Sequence, residues 1–88
     1  MKLVRKLRVK NDLGLHTRPA TMIVKLLQNC KSDVSFLYKR DTVNAKSILS
    51  ILMLAATKNS QITVMVEGED AEAIMGKLEM AFDTAFGE

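Results

Sequence analysis

The sequence predicts an α+β fold, an open-faced βαββαβα sandwich whose four-stranded, mostly antiparallel sheet carries three helices on one face. Two observations lead there. Apolar residues alternate with period two in four short segments and recur with helical spacing in three others, and the two kinds of segment interleave along the chain. With only 88 residues, these elements must share one core, and a hydrophobic content of 48% is enough to build it. Residues 1–88 are therefore expected to form a single domain.

In the first segment Leu3, Leu7 and Val9 share one parity while Lys6, Arg8 and Lys10 take the other, with Arg5 breaking the pattern. This is a half-buried strand whose basic side chains face water. Asn11, Asp12 and Gly14 make a turn. After Pro19 the apolar set Ala20, Ile23, Val24 and Leu27 repeats at helical spacing, and proline is tolerated in a first helical turn, so a helix opens close to His16, Thr17 and Arg18. Its end is expected near Asn29 or Cys30. Val34, Phe36 and Tyr38 alternate with Ser35 and Leu37, and a short run from Thr42 to Ala45 follows Lys39-Arg40-Asp41, giving two strands and a tight connection. No Asn-Gly or Asp-Gly pair marks that turn.

Ser47 opens an apolar stretch through Ala56, in which Ile48, Leu49, Leu52 and Met53 line one helical side and Ile51, Leu54 and Ala55 another. A helix cannot bury two such faces against one sheet. Ile51 and Leu54 are expected in the core, leaving Ile48, Leu49, Leu52 and Met53 as an exposed patch for a partner near the rim of the His16 site. Ile62, Val64 and Val66 alternate as a fourth strand that Gly68 stops. Asp70 is expected to cap a last helix whose stripe is Ala71, Ile74, Met75, Leu78, Phe82 and Ala85.

Composition removes several functions. One cysteine, Cys30, forms no internal disulfide, and one histidine without a Cys/His cluster provides no metal-site spacing. No run of about 18 apolar residues is present and the first residues are not a signal segment, so a cytoplasmic protein without membrane insertion is expected. The net charge of +3, with Lys2, Arg5, Lys6, Arg8 and Lys10 crowded together, invites a nucleic-acid reading. Against it stand the lack of Trp, a single Tyr, and no Gly-x-x-Gly loop. An acidic or phosphorylated partner fits as well.

Chemistry concentrates at Gly14-Leu15-His16-Thr17-Arg18-Pro19-Ala20, where the only histidine meets the start of a helix. Free N–H groups and the positive end of the helix dipole gather there, and Arg18 adds a charged set of donors. An anion attached to His16 would be held. A lone histidine in a turn often does no more than fill a loop position, so the residues by themselves leave both readings open.

This segment resembles the active-centre motif of the histidine-containing phosphocarrier (HPr) family of the bacterial phosphotransferase system: Gly, a hydrophobic residue, His, Ala or Thr, Arg, Pro, Ala. A second stretch, Val43-Asn44-Ala45-Lys46-Ser47, also matches at the family's separation, and Val66-Glu67-Gly68-Glu69-Asp70 is similar to the end of the family's fourth strand. The resemblance covers the whole chain. It implies that His16 accepts a phosphoryl group on Nδ1 from phosphorylated enzyme I and passes it to an enzyme II A-type subunit, with Arg18 pairing with the phosphate and Thr17 shaping the site. It implies a monomeric carrier with no cofactor and no free-standing enzymatic activity.

Ser47 carries two expectations. As a helix N-cap its hydroxyl accepts a hydrogen bond from the first turn; by resemblance it matches the regulatory serine that a dedicated kinase and phosphorylase act on in family members that use it. A regulatory protein whose partner binding is switched at His16 or Ser47 is the alternative to a pure carrier. Leu13 departs from the family's frequent small polar residue near the phosphate, Lys39-Arg40 replaces the usual hairpin Asn-Gly, and Leu54 with Lys58-Asn59-Ser60 lacks glycines common in sugar-pathway members. Several of these features resemble the nitrogen-branch (NPr) subfamily.

Overall fold

A computed structural model describes residues Met1–Glu88. The strands are β1 (Lys2–Arg8), β2 (Asp33–Tyr38), β3 (Asp41–Asn44) and β4 (Gln61–Glu67); the helices are α1 (Thr17–Leu27), α2 (Ile48–Met53) and α3 (Ala71–Asp83), followed by a 3₁₀ turn over Ala85–Gly87. The expected βαββαβα order is present. The strands lie in the order β1-β4-β2-β3, so the last strand in the chain runs between the first two, and every neighbouring pair is antiparallel.

Alternation decides which face of the sheet is covered. Val34 sits opposite Val66 and Phe36 opposite Val64, and all four are buried together with Ile62 under the helices. Their neighbours Ser35, Leu37, Thr63 and Met65 point to the other face and remain half-buried, while Lys2, Lys6 and Arg8 on the edge strand are exposed. One side of the sheet is thus open, as the sequence predicts.

The two-residue turn Lys39-Arg40 joins β2 to β3 without glycine. Lys39 takes the left-handed φ of 56° that tight hairpin turns require at their first central position.

Three element ends differ from expectation. Helix α1 stops at Leu27 rather than at Asn29 or Cys30, because Gln28 is extended and Asn29 turns to φ 71°, a conformation asparagine tolerates. Asp70 stands at the start of α3 but makes no capping bond to it; its carboxylate instead accepts from the Lys31 N–H at 2.8 Å and from the Ser32 hydroxyl. These two charge-assisted bonds hold its carboxyl below the usual range, the Lys31 N–H being the larger cause. Helix α3 also ends at Asp83, before Ala85. Ala85 and Phe86 adopt φ of 53° and 55°, turning the chain back so that the Phe86 ring packs 5.0 Å from Phe82, itself edge-on to Phe36 at 5.9 Å. That turn brings Glu88 back to the start of α1.

Candidate functional site

Gly14 sets the local geometry. Its φ of +69° and its approach to the backbone of Ala56 and Thr57 leave no room for a side chain, and the next residue fastens the loop through the Leu15 N–H to the Ala56 carbonyl at 2.9 Å. His16 follows as the N-cap of α1 in an extended conformation, its carbonyl accepting from the Ala20 N–H at 3.0 Å. The N–H groups of Thr17 and Arg18, in the first turn, have no backbone or side-chain acceptor. Pro19, buried in that turn, contributes no donor. The start of α1 therefore has the free donors that the sequence reading places there.

The imidazole is half-buried, with 31% of its side chain exposed, and its Nε2 lies 2.9 Å from Oε2 and 3.0 Å from Oε1 of Glu88. A carboxylate can only accept, so the ring presents its Nε2–H to Glu88 and, when neutral, keeps its lone pair on Nδ1. The same Glu88 oxygen is 3.8 Å from Nε of Arg18. Glu88 thus joins imidazole and guanidinium, and its side chain is only 17% exposed. It is an oxyanion seated between the two groups expected to hold a phosphate.

Asn11 supports this arrangement from beneath: its Nδ2 donates to the Gly14 carbonyl and, at 3.3 Å, to Oε1 of Glu88. Neither Asn11 nor Glu88 is among the site residues read from the sequence. Asn11 does fall in the turn the sequence marks, but nothing local signals that it is buried; Glu88 lies 72 residues from His16, and no motif links them.

The remaining predicted residues divide. Thr17 opens α1 with an exposed side chain, and its carbonyl accepts from the Thr21 hydroxyl at 2.8 Å; it makes no hydrogen bond to the ring. Ser47 is the N-cap of α2, its Oγ accepting from the Ser50 N–H at 3.2 Å, as expected. Ile48, Leu49 and Met53 are exposed, whereas Leu52, expected with them, is half-buried and packs against the core, because at about 100° per residue it falls on the boundary between the side of buried Ile51 and that of exposed Leu49 and Met53. Leu13 is exposed and brings no polar group to the site. Since the His16 loop is fastened to Ala56, past the end of α2, Ser47 at its start lies at the opposite end of that helix from the imidazole.

Such a site suits a protein that holds a phosphoryl group between two protein partners. The imidazole is open on one side and an apolar helix stands nearby. The family model for the phosphotransferase-system HPr component phosphorylation site matches residues 3–84. The phosphocarrier protein HPr of Chlamydia muridarum is 45% identical over 80 residues, which span 91% of this chain and 77% of the relative; that of Xylella fastidiosa is 36% identical over 86 residues, 98% and 97% of the two chains. The crystal structure of an HPr from Thermoanaerobacter tengcongensis superposes with a TM-score of 0.93 at 30% identity over 98% of this chain and 97% of its own. The chain belongs to the HPr family and is a phosphocarrier of the phosphotransferase system. Interaction with enzyme I and enzyme II components is the family's way of working.

Proposed function

We propose that His16 is the phosphoryl acceptor and that Nδ1 is the atom that reacts. The observation that carries this is the Glu88 carboxylate on Nε2, 2.9 Å away, which leaves Nδ1 as the ring nitrogen with a free lone pair. That lone pair attacks the phosphorus of phosphorylated enzyme I; the donor's N–P bond breaks, its imidazole leaves with the electron pair, and a new N–P bond forms on His16. The Nε2 proton stays in place, and Glu88 balances the positive charge that develops on the ring. Arg18 and the free Thr17 and Arg18 N–H groups meet the phosphoryl oxygens, with stabilisation of about 0.3 to 2 kcal/mol from the helix terminus, enough to accept the group without trapping it. Thr17 contributes its backbone rather than its hydroxyl.

The reverse chemistry delivers the group to an enzyme II A-type subunit docked on Ile48, Leu49 and Met53. Residues 1–88 act as one monomeric unit in the cytoplasm, as a carrier and not as an enzyme turning over a small substrate. Incubation with phosphoenolpyruvate and enzyme I should produce an acid-labile, base-stable phosphate that is absent from His16→Ala. Labelling that persists in that variant would move the acceptor elsewhere.

A second role is supported by one observation, the half-buried Ser47 hydroxyl beside exposed Ile48 and Leu49. A kinase acting there would place a dianion next to the docking patch and switch partner binding off. Phosphopeptide mapping after kinase treatment tests it, and an unmodified Ser47 would leave only the cap.

A further inference from the structure

Asn11 is buried, with 3% of its surface exposed, in a loop where most polar groups face water. Its two amide protons go to the two groups that locate the His16 ring. One goes to the Gly14 carbonyl, which also accepts from the His16 N–H at 2.9 Å; the other goes to Glu88 Oε1, whose carboxylate holds Nε2. The backbone before the imidazole and the carboxylate beside it are therefore joined through one side chain.

The other end of the amide has the opposite character. Asn11 Oδ1 is the one buried side-chain polar atom without a hydrogen-bond partner. Turning the amide over would aim oxygen at the Gly14 carbonyl and the Glu88 carboxylate, so the orientation is forced by its acceptors. A buried unpaired oxygen costs stability, and an apolar side chain of the same size would avoid that cost. Gly14 would lose nothing essential, because its carbonyl keeps the His16 N–H. Fold stability alone does not account for asparagine at this position.

We propose that Asn11 is a positioning residue for phosphoryl transfer, holding the Gly14 carbonyl and the Glu88 carboxylate so that the His16 ring presents Nδ1 outward. This rests on His16 being the acceptor. Misplacing a reacting atom by a fraction of an ångström to an ångström slows transfer steeply without altering a docking surface elsewhere.

The test uses the full chain carrying Asn11→Leu, alone and combined with Glu88→Ala. Three results are expected together. The melting temperature of Asn11→Leu equals or exceeds that of the parent. Its transfer rate from phosphorylated enzyme I falls about ten- to hundredfold, while the KM for enzyme I stays within twofold. The nitrogen-15 resonances of the His16 ring shift as the Nε2–Glu88 bond loosens, and in the Glu88→Ala background the same substitution adds less than half of its logarithmic effect on rate. A transfer rate and ring resonances like those of the parent would overturn the proposal, as would a lowered melting temperature with rate loss only in proportion to unfolded protein. Asn11→Asp, which sets a carboxylate against Glu88, must slow transfer at least as much. Failure of the acceptor assignment is distinct, since it shows as label remaining on His16→Ala.

Discussion

Gly14 carries more constraint than any other single residue near the imidazole. A methyl group there would stand 2.2 Å from the Ala56 oxygen and 2.9 Å from Thr57 Cα, both backbone atoms that cannot swing aside, and the φ of +69° adds strain of its own. Gly14→Ala should destabilise the fold by about 2 to 3 kcal/mol, read by urea denaturation, and should slow phosphorylation of the protein that remains folded. At this scale the placement of His16 and Arg18 at the mouth of a helix was legible in the sequence, while their part in an anion site was implied only by the resemblance to the HPr motif. The carboxylate between them was not. Glu88 reaches the ring through the left-handed turn at Ala85 and Phe86, and an alanine and a phenylalanine with φ above +50°, neither a residue that favours that region, leave no local trace of the turn in a sequence.

Helix α2 is the element in which two demands meet. Ser47 anchors its start, and removing the hydroxyl in Ser47→Ala should cost about 1 kcal/mol of stability in thermal or chemical denaturation. Its apolar outer side is a separate matter: Leu49 and Met53 are 68% and 72% exposed, so Leu49→Ser with Met53→Ser should leave the melting temperature nearly unchanged. The same double variant should raise the KM for enzyme I roughly tenfold, by removing about 1 to 2 kcal/mol of apolar contact. An unchanged KM would move docking off this helix. The sequence made clear that α2 has more apolar surface than one sheet can cover. It did not reveal that Leu52 turns inward, because in a six-residue helix one position of rotation separates the rim from the core.

Across the whole molecule, three carboxylates tie distant segments together: Asp12 to Lys58, Asp83 to Lys10, and Asp70 to the Lys31 N–H and Ser32. Each is held below the usual carboxylate range, Asp12 and Asp83 chiefly by their lysine hydrogen bonds and Asp70 chiefly by the Lys31 N–H. Their folded pKa values lie below the unfolded ones, so their stabilisation is complete above the unfolded carboxylate pKa and is lost as pH falls through the folded values. The protein should therefore melt at a lower temperature at pH 3 than at pH 7. Asp70→Asn should melt lower than the parent at pH 7 and approach it at acid pH, and a constant gap across that range would contradict the linkage. The Asp70 bonds were misjudged from sequence as a helix cap, since its partners are 38 and 39 residues away.

Element type, element order and the parity of buried positions are local properties, carried by side-chain spacing of two or 3.6 residues and by the turn chemistry between segments, and all were present in the bare chain. Strand order is not local. Placing β4 between β1 and β2, seating Glu88 between His16 and Arg18, and burying Asn11 beneath them each depend on which distant surfaces exclude water together. Burial and long-range hydrogen bonding arise only when the chain closes on itself, and for that reason the histidine's place at a helix start could be read from its neighbours in sequence while the groups that contact it could not.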